Sequence, residues 1–303
     1  MALQSSGSIS LNDIATEFGG QTPHSLNEYY RNGSFVTANN TNVPTSGSID
    51  FNDFYGAVKS VVVTLSNAET NVSVSSKFGG NFSTNIPKIL IIPSGAEIGA
   101  TGGTGNRAIT VPSGMSGTLD IQNSGTISGA GGAGGTSSQA NGSMGGSAIF
   151  IASNGVTVTN SGTIRGGGGG GGAGHDGSPG ANGYQDPNNT LFCNGGSGGG
   201  HGDGGNGQGY GSSATNGASG SPGSPATASG NYGSQNPGLC AVFGAGCPGS
   251  GGSPGGNGGS FGNNGSNASS GSGSGGLAGR YVQLSGGAQY TLSNSGTVSG
   301  TAP

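Results

Sequence analysis

Seven consecutive glycines, Gly166–Gly172, open a stretch in which glycine then returns at every third position, through Gly171, Gly174, Gly177, Gly180 and Gly183. Such a run is costly in a helix or a strand, because glycine loses more backbone freedom on ordering than any other residue and brings no side chain to bury. Two further series keep the spacing: Gly196, Gly199, Gly202, Gly205 and Gly211, continuing in frame as Gly217, Gly220 and Gly223; and Gly246, Gly249, Gly252, Gly255 and Gly258. Three residues per turn is the period of the polyproline II helix, so each series would line one edge of a rod. An isolated rod has no internal hydrogen bonds and would melt, since fixing each residue costs roughly 1–2 kcal/mol. Rods packed along their glycine edges can instead satisfy N–H and C=O groups between one another, giving a core made of backbone. On this reading RGGGGGGGAGHDGSPGANG, residues 165–183, is a rod of up to about 60 Å at roughly 3.1 Å per residue. The alternatives are a Gly/Ser linker, which needs no period, and a collagen helix, which needs a long unbroken Gly-X-Y run rich in proline.

Composition fits a chain without one large conventional core: 74 of 303 residues are glycine, 29% are hydrophobic and 6% charged, with a net charge of −4. After Asp120 the charged residues are Arg165, Asp176, Asp186, Asp203 and Arg280 only, whereas disordered segments usually depend on charge. No cluster of Lys and Arg offers a phosphate-binding footprint, so no nucleic-acid partner is expected. No apolar run nears the roughly 20 residues that span a bilayer, and residues 1–30 lack a signal-peptide pattern, so synthesis in a cytoplasm is expected.

Three segments near the start share a helix-opening pattern: Ser10-Leu-Asn-Asp13, Ser25-Leu-Asn-Glu28 and Asp50-Phe-Asn-Asp53. Each pairs a capping Ser or Asp with an acid three residues on, which satisfies orphan N–H groups. Helices this short must pack to survive, and residues 1–58 read as a small docking module. Leu11, Phe18, Tyr29, Tyr30, Phe54 and Tyr55 divide between its core and a partner-facing surface.

From Val61 the apolar period becomes two, the strand signature, and Ile89–Ile92 reads as a buried strand between Pro87 and Pro93. A repeat follows: AITV with TLDIQNSGTI, AIFI with VTVTNSGTI, and YVQL with YTLSNSGTV. The alternation predicts a two-strand hairpin in each copy, with one apolar face (Ile109, Val111, Leu119, Ile121 and Ile127 in the first). Units this small must stack on one another to bury it. Because the second and third copies flank residues 166–279, stacking would clamp both ends of the glycine region to one platform.

Two segments interrupt the glycine series, YQDPNNTLFC at 184–193 and NYGSQNPGLCAVF at 231–243. Their large apolar residues, Tyr184, Phe192, Tyr232, Leu239, Val242 and Phe243, either cap the rods or form a recognition surface on rigid loops. Cys240 and Cys247 are spaced for a disulfide or stay free, with Cys193 unpaired. Many G-x-G-x-x-G matches are inevitable at this glycine density, and none opens a helix after a strand. His175, Asp176, His201 and Asp203 are too loosely spaced to predict a metal site, no nucleophile–base set is visible, and no cofactor is expected. A hydrolase would need paired carboxylates, and Asp176, Asp186 and Asp203 are scattered.

These segments resemble known families. SGSISLNDIATEFGG, SLNEYYR and SGSIDFNDFYGA resemble a module recurring at the N-termini of bacteriophage tail and fibre proteins. VTLSNAETNVSVSSKFGG through LIIPSGAEIGA to GGSAIFIASNGVTVTNSGTIRGGGGGGG is similar to a family of phage receptor-binding tail proteins. The glycine-rich remainder resembles the tip adhesins of T-even-like phages, in which polyglycine rods alternate with loops that touch the host. Those adhesins are separate chains mounted on a fibre, whereas this chain carries its own docking module, which leaves a single chain or a homotrimer open.

The resulting expectation is a mostly β protein with a small α-helical N-terminal module (1–58). A β-hairpin repeat platform (59–165, closed by 280–303) bears a polyproline/polyglycine II helix bundle (166–279). The implied function is a non-enzymatic virion adhesin that attaches to phage tail or fibre proteins through residues 1–58. Its loops would bind a bacterial surface receptor, protein or polysaccharide. A purely structural spacer or decoration is the alternative.

Overall fold

A computed structural model describes residues 3–20, 22–37, 40–180, 191–194, 196–225, 227–230, 248–269 and 272–303, with backbone alone at 191–194 and 227–230. Helix α1, Leu11–Phe18, starts on the capping box of Ser10 and Asp13, and the equivalent boxes of Ser25 with Glu28 and Asp50 with Asp53 open single 3₁₀ turns. The rings of Phe18, Tyr29 and Phe54 pack with centroids 6.3–6.5 Å apart, and the Tyr29 hydroxyl donates to the Gly19 carbonyl at 2.8 Å. The two ends of the segment meet where Leu3 N–H donates to Ala57 O, while the Asn40 amide brackets Val58 at 2.7 and 2.8 Å. This corrects part of the docking expectation. Phe18, Tyr29 and Phe54 are at most 1% exposed, so they cannot touch a partner while the module stays folded; Leu11, Tyr30 and Tyr55 are half-exposed, and Phe51 is exposed.

The β region coils. Its strands, taken in chain order, form successive rungs: β1 (Val61–Thr64) and β2 (Val72–Ser73); β3 (Lys88–Ile92), β4 (Glu97–Gly99) and β5 (Ile109–Val111); β6 (Leu119–Asn123), β7 (Thr126–Ser128) and β8 (Ile149–Ile151). The later rungs are β9 (Val156–Asn160), β10 (Thr163–Arg165) and β13 (Val282–Leu284), then β14 (Tyr290–Asn294) and β15 (Thr297–Ser299); β11 (Leu191–Asn194) and β12 (Thr227–Gly230) lie apart, within the glycine-rich region. Strands at equivalent places in successive rungs pair in parallel, giving three sheets in the orders β1-β3-β6-β9-β14, β4-β7-β10-β15 and β2-β5-β8-β13. The platform is therefore a three-sided parallel solenoid, and the expected β-hairpins are not formed. Alternating polarity says that one face is buried without saying which strand is the neighbour. Here each repeat turns away at its Ser-Gly corner and leaves the pairing to the next repeat.

The N-S-G-T-[IV] motif is that corner. Asn123 Nδ2 donates to Asn160 Oδ1 at 2.7 Å and Asn160 Nδ2 to Asn294 Oδ1 at 2.6 Å, a ladder along the axis that satisfies buried amides. The glycine is needed because a Cβ on Gly162 would lie 2.1 Å from the Gly125 carbonyl oxygen of the rung below. Inside, Ile109, Val111, Leu119, Ile121, Ile127, Ile149, Ile151, Val156, Val158 and Ile164 are all at most 2% exposed. In the last rung Tyr290, Leu292 and Val298 are only half-buried, as is Leu284 at the end of β13. Near the first rung, helix α2 (Val74–Phe78) packs on β1, β2 and β5 and adds Phe78 to the core.

One corner, between the second and third strands of each rung, lengthens from residues 100–108 to 129–148 and then to 166–281. Apart from β11 and β12, the described residues of the long excursions carry no helix or strand, and their backbone hydrogen bonds run between segments at a spacing of three residues. Gly171, Gly174, Gly177 and Gly180 donate to the carbonyls of Gly205, Gly202, Gly199 and Gly196, an antiparallel register in which one periodic series meets another.

At Gly167–Gly172 every residue donates to a neighbour: in order, to Gly146, Gln208, Asn263, Ser143, Gly205 and Ser266, at 2.7–3.1 Å. Their carbonyls accept, in order, from Gly279, Gly132, Gly259, Gly276, Gly135 and Gly256. The run is thus enclosed by chain on all sides, and no position of its three-residue period faces solvent. Beyond Gly174 the segments 129–146 and 263–279 have turned back, one side opens to water, and glycine is needed only every third residue.

Outer positions are polar for a matching reason. Ser221 N–H donates to Gly200 O while Gly200 N–H donates to Ser221 Oγ at 2.6 Å. The same reciprocal pairing joins Thr215 to Asn206, Ser224 to Ser197, Ser250 to Ser178 and Ser253 to His175. Ala218 stands opposite Asp203 in this row without an oxygen to offer. Ala218→Ser is therefore expected to raise the unfolding free energy by about 0.5–1.5 kcal/mol, the worth of one added hydrogen bond, measured by urea titration.

Candidate functional site

The glycine-rich region has a near and a far end. Near the solenoid, Gly129 N–H donates to Arg165 O and Gly166 N–H to Ser299 O; at the far end the hydrogen bonds close at Gly180 with Gly196, Ser224 with Ser197 and Gly249 with Ser224. Gly166 to Gly180 covers about 40 Å at roughly 3 Å per residue. Both interrupting segments leave at the far end. Strands β11 and β12 pair antiparallel there, Leu191 opposite Gly230 and Asn194 opposite Thr227, so the end of the first segment is fixed beside the start of the second. Phe192 and Cys193 lie on β11; Tyr184, Tyr232, Leu239, Val242, Phe243, Cys240 and Cys247 lie outside the described residues.

At the near end Arg165, the residue before the glycine run, holds the junction. Its guanidinium lies 3.8 Å from the centroid of the Phe261 ring, pairs with Glu97 at 2.9 Å, and donates from Nε to Ser128 Oγ at 2.9 Å. Phe261 sits in the turn between two glycine-rich segments, so this side chain ties the excursion to the second and third rungs. Tyr210 adds a second tie: its ring lies so close over Gly99 that a Cβ there would meet it at 1.9 Å. Neither contact was read from sequence, although the scarcity of charge beyond Asp120 marks Arg165 as a residue with a specific partner.

Of the loosely spaced polar residues, the fold brings three together. His201 Nδ1 lies 2.7 Å from Asp176 Oδ1, its Nε2 lies 3.7 Å from Asp203 Oδ1, and its backbone N–H also donates to Asp176. Hydrogen bonding to Asp176 pushes the imidazole pKa up, with the charge of Asp203 adding to it, and the same bond holds Asp176 down. The cluster is solvated and joins neighbouring segments. Among the described residues no group of three or more His, Cys, Asp and Glu is placed to hold a metal ion, and no described helix is long and apolar enough to cross a membrane.

Comparison with known proteins adds three findings. A family model described as phage tail fibre adhesin Gp38 matches residues 59–303. A solved structure, described as the gp37-gp38 adhesin tip complex of the bacteriophage S16 long tail fiber, matches with a TM-score of 0.51 and 22% identity, covering 99% of this chain and 100% of that chain, a likeness of fold. No curated protein matches.

Proposed function

The chain belongs to the Gp38 family of phage tail fibre adhesins, proteins of the virion tail, and on that premise we propose how its parts divide the work. Residues 166–279 form a bundle of polyglycine II helices, with residues 129–146 packed into its base. The segments at 184–193 and 231–247, carried at its far end, bind a receptor on the bacterial surface. The observation that carries this reading is the common exit of both segments at the end remote from the solenoid, joined through β11 and β12. Rigid presentation lowers the entropy lost when such loops bind. Every N–H and carbonyl of Gly167–Gly172 is already paired and the run is buried, which leaves no open side there for a second copy and favours a tip built from one chain over a homotrimer.

Residues 1–58 attach the adhesin to a tail or fibre protein. They fold around their own apolar cluster, and the family match begins just after them, at residue 59. Leu11, Tyr30, Phe51 and Tyr55, with Leu26, Phe35 and Ile49, are apolar side chains that remain at least partly accessible for that contact.

The test exchanges residues 181–190 and 231–247 for those of a relative with a different host. Host range is expected to follow the exchanged segments, with particle assembly unchanged. Unchanged host range would leave the glycine-rich region as a spacer without a receptor.

A further inference from the structure

The outer faces of the solenoid hold two arginines in nearly the same setting. Arg165 stacks on Phe261, meets Ser128 and is neutralised by Glu97. Arg107 lies with its guanidinium 5.3 Å from the centroid of the Phe150 ring, donates from Nε and Nη2 to Oε1 of Gln283 at 3.2 and 2.7 Å, and from Nη1 to the Gly105 carbonyl. Ser147 Oγ donates to the same Gln283 oxygen at 3.2 Å. Ring, serine and side-chain acceptor recur, but an amide stands where Arg165 has a carboxylate. Among the described residues Arg107 has no carboxylate partner.

A guanidinium has five N–H groups, and these contacts use three, leaving two for an anion. Beside it is a cavity of about 330 Å³ lined by Asn71, Gly105, Asn106, Arg107, Thr110 and Phe150. We propose that this cavity binds an anionic saccharide unit, one bearing a carboxylate or a phosphate, with Arg107 pairing the anion. Phe150 and Gln283 hold the guanidinium in place, so little side-chain freedom is lost on binding. Amide and hydroxyl groups around the rim suit a sugar's hydroxyls. The size argues against a protein partner: the volume is at the small end of ligand pockets, whereas a stable protein interface covers about 800 Å² per side. The site lies on the solenoid, apart from the segments at the far end of the bundle, and stands whether or not those segments bind a receptor.

The test titrates the full chain with glucuronate and glucose 6-phosphate, with glucose and inorganic phosphate as controls, by calorimetry or NMR. Each charged sugar is expected to bind in the millimolar range, as befits one ion pair and a few hydrogen bonds. Arg107→Gln and Gln283→Glu should each weaken that binding at least about tenfold. Gln283→Glu is the decisive variant, because it keeps the neighbours of Arg107 and supplies an internal carboxylate, so it should lose the ligand without losing thermal stability. Unchanged affinity in Gln283→Glu overturns the proposal, as does glucose binding as tightly as glucuronate. Inorganic phosphate matching glucose 6-phosphate would leave a bare anion site and overturn the saccharide. Flat sugar titrations together with loss of fibre-protein binding in Gln283→Glu would assign Arg107 to a protein interface instead.

Discussion

Gly169→Ala should unfold the glycine-rich region and abolish adsorption, while Gly251→Ala, the same change in the same region, should leave both intact. A Cβ on Gly169 would lie 1.9 Å from the Gly276 carbonyl oxygen, where ordinary contact begins near 3.4 Å; at Gly251 the nearest atom is 3.6 Å away. The Gly169 methyl needs about 1.5 Å of extra room, and what it meets is backbone, which cannot rotate aside. The segments at Gly169 are held by bonds of 3.0 Å to Asn263 and 2.8 Å from Gly259, and a shift of that size breaks them and their neighbours in the lattice. At roughly 1 kcal/mol for each bond lost, plus the repulsion itself, the cost exceeds about 5 kcal/mol, comparable to the whole stability of many domains. Gly251→Ala meets no such wall and restricts the unfolded chain, so its effect should lie between zero and a gain of about 1 kcal/mol. Limited proteolysis within 166–280 and phage adsorption measure the two outcomes. A Gly169→Ala protein that resists protease as the parent does would show that the close contacts around the run are not what holds the region.

The contrast between those two glycines marks what sequence could and could not reveal. A period of three identifies a glycine edge, and the series 171–180 does meet the series 196–205 in the structure. The uninterrupted run at 166–172 carried further information: a segment needs glycine at every position only when neighbours surround it, so the run marks the centre of the packing. The capping boxes at Ser10, Ser25 and Asp50 were legible because they act within four residues. Strand pairing was not, because alternation at Leu119–Asn123 is the same whether the neighbour is a hairpin partner or the next rung. The earliest rungs were also hidden, since Ile92 and Pro93 stand where later rungs have the Asn and Ser of the motif, and β2 is two residues long. Which aromatic residues of the first 58 face inward depends on how three short turns pack, which no local pattern encodes. The Arg165 and Arg107 clamps join residues far apart in sequence and had no local signal beyond the rarity of charge.

Lys88→Met tests a charge that the solenoid keeps inside. Lys88 opens β3 on the inward face, in line with Leu119, Val156 and Tyr290 of the following rungs, and is 1% exposed. Its ammonium donates to the carbonyls of Thr84 and Ile86, each at 2.9 Å, and of Ser116 at 2.6 Å, three donors for three acceptors. Methionine would fill the space and relieve the cost of burying a charge. The carbonyls belong to the backbone, however, and cannot be removed with the lysine. The substitution is therefore like deleting one partner of a buried polar set, which costs about 3–5 kcal/mol, and unlike replacing the whole set by apolar groups, which can be neutral. Urea unfolding should show a loss of that order, and equal stability would mean that relief from desolvation matches the three lost bonds. A second measurement separates the charge from the packing. Burial pushes the Lys88 pKa down, so between that lowered value and the ordinary lysine value the unfolded chain binds more protons than the folded one. Stability of the parent relative to Lys88→Met should then rise with pH through that window, and a difference that stays flat would show that burial exerts no pull on the ammonium proton.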